Sequence, residues 1–468
     1  MSKILKKDLL LILSFVLLLI ISCSKNDNPV TSQEGYSPDI PVDPSAPQIP
    51  LEWENWIKSN SKKIKSLDSF TNTDIQFLKS LLVNKKIVQL GESSHGTQEF
   101  SKAKVHLIKY LHEEMGFNII AFESSVFDCF YAYNNISNAG SEKLMSNSIF
   151  GVWYTEEVKE LFTYIIQIQN SSNPLILVGF DIQPSSLGSQ YRPGFLKSVF
   201  NIIDPQKADS LFQLDTFFLS LKSGGINADK NHLIQEYESY LNLLDNNWEK
   251  VVKAYPPNSP IPHIAKLSIR SNIHYINQNV YAVMLMPAQM SQERDLNMAF
   301  NLEYLFKNVY PNNKFIVWAH NVHICYNYAR IKTALLSGAN SMGYYLRQNL
   351  SNELYAVGLY MYKGKTAYND RSVVTVQTMT SENIETVLYH SRYNYSFVDM
   401  LNQTNMPDNS WMFKEMNAKY WGNLDQLLIP REQYDAILYV YETHLPNYLN
   451  YQLMKMKSDG LLNLNYFR

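Results

Sequence analysis

The sequence predicts an α/β fold: a mainly parallel sheet flanked by helices, with a helical insertion forming an arm over the carboxyl ends of the strands. Three observations carry this. Short β-rich apolar runs alternate with longer helical patterns, as βαβ units do. Four of those runs are followed at once by acidic or imidazole side chains. A long central stretch, about residues 185–290, is helical by pattern, with loop signals only at Gly224-Gly225 and around residues 256–262.

Taken from the amino terminus, residues 1–22 read as an export signal. Lys3, Lys6 and Lys7 precede an apolar run over 9–21, which is too short to span a bilayer comfortably. A basic start, a short apolar stretch and a small residue are the parts of a secretory signal. Cys23 directly after them is similar to the lipidated first residue of a bacterial lipoprotein. Residues 23–50 then form a tether of Ser, Asn, Asp and Pro, with prolines at 29, 38, 41, 44, 47 and 50, extended and stiffened. The catalytic domain is expected over 51–468. The protein is thus expected to be exported and lipid-anchored in a bacterial cell envelope, at the outer membrane or cell surface, with the membrane as a partner through Cys23.

The formal net charge is −2 and no Lys/Arg block stands out beyond the signal, which argues against a nucleic-acid partner. Beyond Cys23 only Cys129 and Cys325 remain; their spacing is neither a metal nor a redox motif, and one disulfide is allowed but not implied.

The candidate strands are 87–90, 118–122, 175–180, 315–319, 354–359 and 436–441. The first ends in Gly91-Glu92-Ser93-Ser94-His95, the second in Glu123, the third in Asp181 and the fourth in His320-Asn321-Val322-His323. Ligands of open α/β sheets bind outside the carboxyl ends of the strands. A carboxylate after a strand often only caps the next helix, and a lone His is often a satisfied structural residue. Six such residues at equivalent ends point to a site. Gly91 allows a tight exit from its strand, and 97–110 reads as a helix with Phe100, Ala103, Leu107 and Ile108 on one face. His95 then lies near a helix N-terminus, where free N–H groups favour an anion and keep an imidazole neutral. A neutral imidazole can take a proton from water near pH 7.

These residues resemble the erythromycin esterase family. The resemblance rests on Gly91-Glu92-Ser93-Ser94-His95-Gly96 with Glu99-Phe100, on 117–123, on Trp153 with Thr155-Glu156-Glu157-Val158, and on Gly179-Phe180-Asp181. It continues in Arg294-Asp295 with Met298, Ala299 and Asn301, in Trp318-Ala319-His320-Asn321-Val322-His323, and in Met342-Gly343 before Leu346. It runs from about residue 85 to 360, with a weaker match over 434–441. The resemblance implies that His95 is the general base activating water for attack on a macrolide lactone. It also implies that Glu92, Glu123, His320 and His323 are site residues. Members typically carry an Arg where this chain has Lys104, which keeps the charge but loses the bidentate fork; Arg294, in the family's Arg-Asp pair, is the more secure cation.

The expected reaction is hydrolysis of a small-molecule ester or lactone by direct attack of water, with no cofactor. His95 takes the proton, Glu92 or Glu123 holds the imidazole and the water, and His320, His323 and Arg294 stabilise the oxyanion or protonate the leaving alkoxide. Lys104, Asp181 and Trp153 are expected to touch substrate. Ser93 and Ser94 suggest a serine hydrolase, but the G-x-S-x-G elbow is absent. A second mechanism uses Glu92, His95, Glu123, His320 and His323 as ligands of a divalent metal. A third reading, from another class, is a non-catalytic surface lipoprotein that binds a ligand through its aromatics; it would show a broken acid and imidazole set. Phe127, Tyr131 and Tyr154 are pocket candidates for which packing is the commoner role. Thr155 with Glu156 and Glu157 suits the first turn of a helix.

Overall fold

Strands made of Val, Ile, Leu and Phe with no alternation belong in a sheet covered on both faces, and the sequence's six apolar runs lie side by side in such a sheet, with the third of them at one edge. The computed structural model describes residues 36–68, 72–138, 140–221, 229–333 and 338–449. The signal, Cys23 and the first part of the Pro-rich segment lie outside the described residues. From Pro38 onward the described chain belongs to one compact unit.

In chain order the strands are β1 (Lys62–Ile64), β2 (Ile87–Leu90), β3 (Ile119–Ser125), β4 (Ile176–Asp181), β5 (Phe315–Trp318), β6 (Leu354–Ala367), β7 (Val373–Thr375), β8 (Tyr395–Asp399), β9 (Met416–Tyr420), β10 (Leu424–Leu428) and β11 (Ala436–Thr443). The main sheet runs β1-β8-β11-β6-β2-β5-β3-β4, with β7 paired to β6. Every pairing from β11 to β4 is parallel; β1, β8 and β7 add antiparallel strands at the margins, and β9 and β10 form a separate hairpin. The expected mainly parallel sheet is therefore present. Strands β1, β7, β8, β9 and β10 have no counterpart among the six apolar runs, because short, mixed-polarity strands leave little pattern.

One face of the sheet packs against helices Gln98–Met115 and Glu156–Ile168 through Phe100, Leu107, Leu111, Val158, Leu161 and Phe162. The other packs against Met298, Leu302, Leu346, Val387 and Trp411. The first helix runs past residue 110 to Met115 and stops where Gly116 takes φ 70°, a left-handed C-terminal cap. The second starts as expected, with the Thr155 hydroxyl accepting from the Val158 N–H at 3.3 Å.

The central insertion is helical: Arg192–Phe200, Pro205–Ser220, Lys230–Asn246, Trp248–Lys253 and Ile261–Val283. It has its own core, including Leu196, Phe200, Leu211, Tyr237, Leu244 and Ile276. A buried ion pair holds that core in register: Arg192 donates to both Asp215 oxygens at 3.0 Å, and Tyr237 Oη and Asn272 Nδ2 donate to Asp215 Oδ1 at 2.8 and 2.9 Å. Its root is pinned by Asp128 Oδ2, which accepts from the N–H groups of Ser185 and Ser186 and from Ser189 Oγ. The arm stands at the β4 edge, where Gln183 meets Gln278 at 3.1 Å. Its expected end near residue 290 falls inside helix Pro287–Tyr304, which leaves the arm and buries Met298 and Leu302 in the main core.

The tether was expected to extend to Pro50 without packing. From Pro38 it packs: Ile40 is 6% exposed, its N–H donates to the Arg392 carbonyl, and the Arg392 guanidinium donates back to the Ile40 carbonyl. The two apolar residues Ile40 and Ala46, scattered among prolines, supply that contact. Cys129 and Cys325 are both buried free thiols.

Candidate active site

Parallel pairing in the order β2-β5-β3-β4 puts four carboxyl ends side by side. The residue after each strand is thereby brought to one edge, and a bulge helps: the β3–β4 register shifts between Phe122 and Ser125, which re-aims Glu123 within its strand.

The loop after β2 is built tightly against its neighbours. A Cβ on Gly91 would lie 2.1 Å from Asn321 Oδ1, and one on Gly96 would lie 2.4 Å from the Ala367 carbonyl oxygen. Asn321 in turn donates to the Leu359 carbonyl and accepts from the Leu359 N–H, and its own N–H donates to the Glu92 carbonyl. Glu92 and the His320 turn are thus fixed to one another through main chain.

Glu92 is fully buried and fully used. Its Oε1 is 2.6 Å from His95 Nδ1 and accepts from Trp153 Nε1 at 2.8 Å; its Oε2 accepts from Lys104 Nζ at 2.8 Å. A carboxylate on Nδ1 fixes the His95 tautomer with its proton there, leaving the Nε2 lone pair for chemistry. The His95 side chain is 11% exposed, whereas the Glu92 side chain that holds it is fully buried. Lys104 also donates to the Ala319 carbonyl at 3.2 Å and lies over the Trp318 ring. Burial brings Lys104 down to about 8, although Glu92 favours its charged form.

The His320 ring is 4.9 Å from the His95 ring, centre to centre. Its Nδ1 accepts from the Val322 N–H at 3.3 Å, and burial, then His95, push it well below the ordinary imidazole range. A neutral ring that accepts at Nδ1 carries its proton on Nε2. That Nε2 is buried with no hydrogen-bond partner. Such a donor is unusual in a folded protein, and it is the group an oxyanion would complete.

Behind this pair lies a second network. Glu123 Oε1 accepts from Arg294 Nη2 at 2.9 Å and is 3.2 Å from His323 Nε2; Glu123 Oε2 accepts from the His320 N–H at 2.9 Å. Arg294 also donates to both oxygens of Asp181, at 2.5 Å from Nη2 to Oδ2. His323 Nδ1 meets Asp295 Oδ1 at 2.8 Å. Burial works against the charge on His323, but Asp295 and Glu123 outweigh it and raise the ring to about 10. Burial likewise works to raise Glu123, yet His323 and Arg294 hold its carboxyl well below the usual carboxylate range.

This geometry revises several expected roles. Of the two carboxylates expected at the imidazole, Glu92 is the one that meets His95 Nδ1, while Glu123 accepts from the His320 N–H. Arg294 braces the site through Nε and Nη2, which donate to Asp181 and Glu123, while its Nη1 is 3.4 Å from His323 Nε2; His323 lies between Asp295 and Glu123. Lys104, Trp153 and Asp181 were expected to touch substrate; all three are buried and face inward to Glu92 or Arg294. Phe127 and Tyr131 stack toward Phe195 and Tyr191 at the arm's root, and Tyr154 is buried. Ser94 is bound to Thr366 and the Ala367 carbonyl, and Ser93 Oγ has no hydrogen-bond partner, so no Ser–His dyad is formed.

The expected alternative metal set fits poorly. Both oxygens of Glu123, both nitrogens of His323 and Nδ1 of His95 already have hydrogen-bond partners. Among the described residues no three His, Cys, Asp or Glu side chains are arranged to hold a metal ion.

Two residues beside the imidazoles, Tyr420 and Trp421, were not singled out from the sequence, and Asp295, read only as part of the Arg-Asp pair, was given no role at His323. Trp421 comes from the β9–β10 turn, with its ring 5.3 Å from that of His95 and 5.5 Å from that of His320; only the pairing of Trp421 with Gly422, a bulky residue in a tight turn, could have flagged it.

Comparison with known proteins shows the family and the fold. A family model described as erythromycin esterase matches residues 112–443, a span that holds Glu123, Asp181, Arg294, His320 and His323 and begins after the Glu92–His95 loop. A Bacillus subtilis (strain 168) protein, YbfO, provisionally named a hydrolase, is 31% identical over 415 residues, covering 83% of this chain and 90% of its own. The erythromycin esterase type II of Escherichia coli is 25% identical over 340 residues, 68% of this chain and 79% of its own. Among solved structures, a mutant of the erythromycin esterase EreC in its open conformation shares the fold with a TM-score of 0.67 at 19% identity, over 83% of this chain and 99% of that one.

Proposed function

The chain belongs to the erythromycin esterase family and is a hydrolase, and from that premise we propose that it cleaves a carboxylic ester or lactone by direct attack of a water activated by His95. A macrolide lactone is the first substrate to test. The observation that carries this reading is the opposition of two nitrogens: a His95 Nε2 freed for base chemistry by Glu92, beside a His320 Nε2–H that is buried without a partner.

In the proposed reaction His95 Nε2 takes a proton from water as the water oxygen attacks the carbonyl carbon. The carbonyl oxygen becomes an oxyanion and accepts from His320 Nε2–H, a donor already aimed and kept dry. The intermediate collapses by breaking the bond to the leaving alcohol, and the proton on His95 passes to that oxygen. Glu92 stabilises the transient imidazolium, and Lys104 balances the Glu92 charge. The intact acid and imidazole set weighs against a non-catalytic binding role, and the already engaged oxygens of Glu123 and nitrogens of His323 weigh against a metal-bound water.

The test is incubation of the purified protein with erythromycin and with a panel of simple esters in ¹⁸O water, read by mass spectrometry, beside His95→Ala and a chelator-treated sample. Expected are the gain of one labelled water, a loss of about 10²- to 10⁴-fold in His95→Ala, and full activity with chelator. Turnover that survives His95→Ala sinks the mechanism; turnover that dies with chelator and returns with added metal selects the metal-dependent one. We propose in addition that the reaction takes place in the cell envelope, on a chain anchored through Cys23. Metabolic labelling with a radioactive fatty acid should mark the wild type and miss Cys23→Ala.

A further inference from the structure

We propose that Trp421 is a positioning residue of this site: its indole face fixes the plane of the His320 ring and keeps water away from that ring's Nε2–H. The catalytic consequence rests on the ester-hydrolase reading, whereas the structural part stands on geometry alone.

Trp421 begins the turn between β9 and β10 with φ 54°, and Gly422 follows at φ 75°. A bulky side chain in the left-handed region costs on the order of 1–3 kcal/mol and persists only where its surroundings impose it. Here they do. The Trp421 N–H donates to the Ser93 carbonyl at 2.9 Å, inside the catalytic loop, and the Gln377 N–H donates to the Gly422 carbonyl at 2.9 Å. Asn423 Nδ2 donates to Tyr368 Oη at 2.8 Å, and the Lys419 N–H donates to the buried Glu385 at 2.7 Å. The hairpin is therefore held to its surroundings at several points, and the one that reaches the His95 loop is made by a strained tryptophan that is 6% exposed.

The rings around His320 differ in what they can control. His95 and Tyr420 meet it edge-on, at 73° and 81°, whereas Trp421 lies at 30° with centres 5.5 Å apart. Edge contacts leave a ring free to turn about its own plane normal and to tip, but a flat neighbour resists tipping. With Nδ1 already held by the Val322 N–H, a fixed plane leaves Nε2–H one direction. The charged and titratable neighbours, His95, Glu123, His323 and Lys104, come from β3, from the loop and helix after β2, and from the same turn as His320. Trp421 adds an apolar ring, near parallel to His320, to that charged surrounding.

The experiment compares Trp421→Phe, which keeps a flat ring, with Trp421→Leu, which keeps bulk and left-handed strain without one. Long-range ¹H–¹⁵N spectra of ¹⁵N-His protein at pH 7 report the His320 tautomer directly, and ester turnover reports its use. Expected are a single Nε2–H tautomer in wild type and Trp421→Phe, a mixture in Trp421→Leu, and a kcat about 10- to 100-fold lower in Trp421→Leu with KM little changed, the size of effect that slight misplacement of a catalytic group produces. Trp421→Met takes the place of Trp421→Leu if the latter fails to fold. A single tautomer and wild-type kcat in the Leu or Met variant overturn the proposal. Absence of ester turnover in the wild type instead defeats the hydrolysis reading, and the tautomer comparison still decides what Trp421 does.

Discussion

The Lys104 ammonium lies 2.8 Å from Glu92 Oε2, with neither side chain open to solvent, so the carboxylate that orients the His95 imidazole has a buried counter-charge of its own. Because burial brings Lys104 down to about 8, this counter-charge titrates within reach of ordinary assay conditions.

The alkaline limb of kcat/KM should therefore fall near pH 8 as Lys104 loses its proton and Glu92 loses a cationic donor. Lys104→Arg, restoring the always-charged residue that family resemblance leads one to expect at this position, should move that limb upward. Unfolding is not the cause predicted. The folded pKa of Lys104 is below the unfolded value of about 10.5, so its contribution to stability is present above about 10.5 and lost as pH falls through about 8. A pH–rate profile with the same limb in both proteins would remove Lys104 from the account.

His323 should behave in the opposite sense. Its folded pKa is raised to about 10, so its stabilising contribution is complete below about pH 6.5 and lost as pH rises through about 10. His323→Gln leaves Asp295 buried without its cation and Glu123 with Arg294 alone, and should cost about 3–5 kcal/mol near neutrality. Denaturant titrations of both proteins should show that gap narrowing from pH 6.5 to 10; a gap independent of pH would mean that the ring is neutral in the folded protein.

Ser93→Ala and Ser94→Ala should both keep the His95-dependent turnover, with the Ser94 variant less stable because Thr366 loses a partner at 2.6 Å. Trapping of an acyl group on either serine, seen as a stable mass adduct after quenching, would replace water attack by a covalent route.

Gly91→Ala should be destabilised by about 1–3 kcal/mol, the usual cost of overpacking, and should lose activity as well. The added Cβ would strike Asn321 Oδ1 and Ile324 Cδ1, and Asn321 is the link between the Glu92 loop and β6. Thermal melts and ester turnover measured together would test this; a variant as stable and active as the wild type would show that Asn321 is not needed in its present place.

Glu92, His95, Glu123 and His320 could be read from the chain because each follows an apolar run, and parallel strands share one carboxyl edge. The same logic could not say which way each side chain turns. Lys104 and Trp153 lie in patterns that suit an exposed binding surface as well as a buried brace, and only their packing under Glu92 distinguishes the two. Ile40 and Ala46 were hidden among prolines for the same reason: two small apolar contacts make no periodic signal, yet they dock the segment. Trp421 belongs to a hairpin whose partner in space, Ser93, is more than three hundred positions away in the chain.

The sequence by itself determined the parallel core, the helical insertion and the set of residues delivered to the sheet's edge, since hydrophobic period and strand ends are local properties. The tertiary structure decided the rest: that Glu92 serves His95 while Glu123 serves His320, that Arg294 and His323 face carboxylates, and that His320 is neutral beside a charged His323. Those are matters of desolvation and of neighbouring charge, which depend on distances between strands and not on order along the chain.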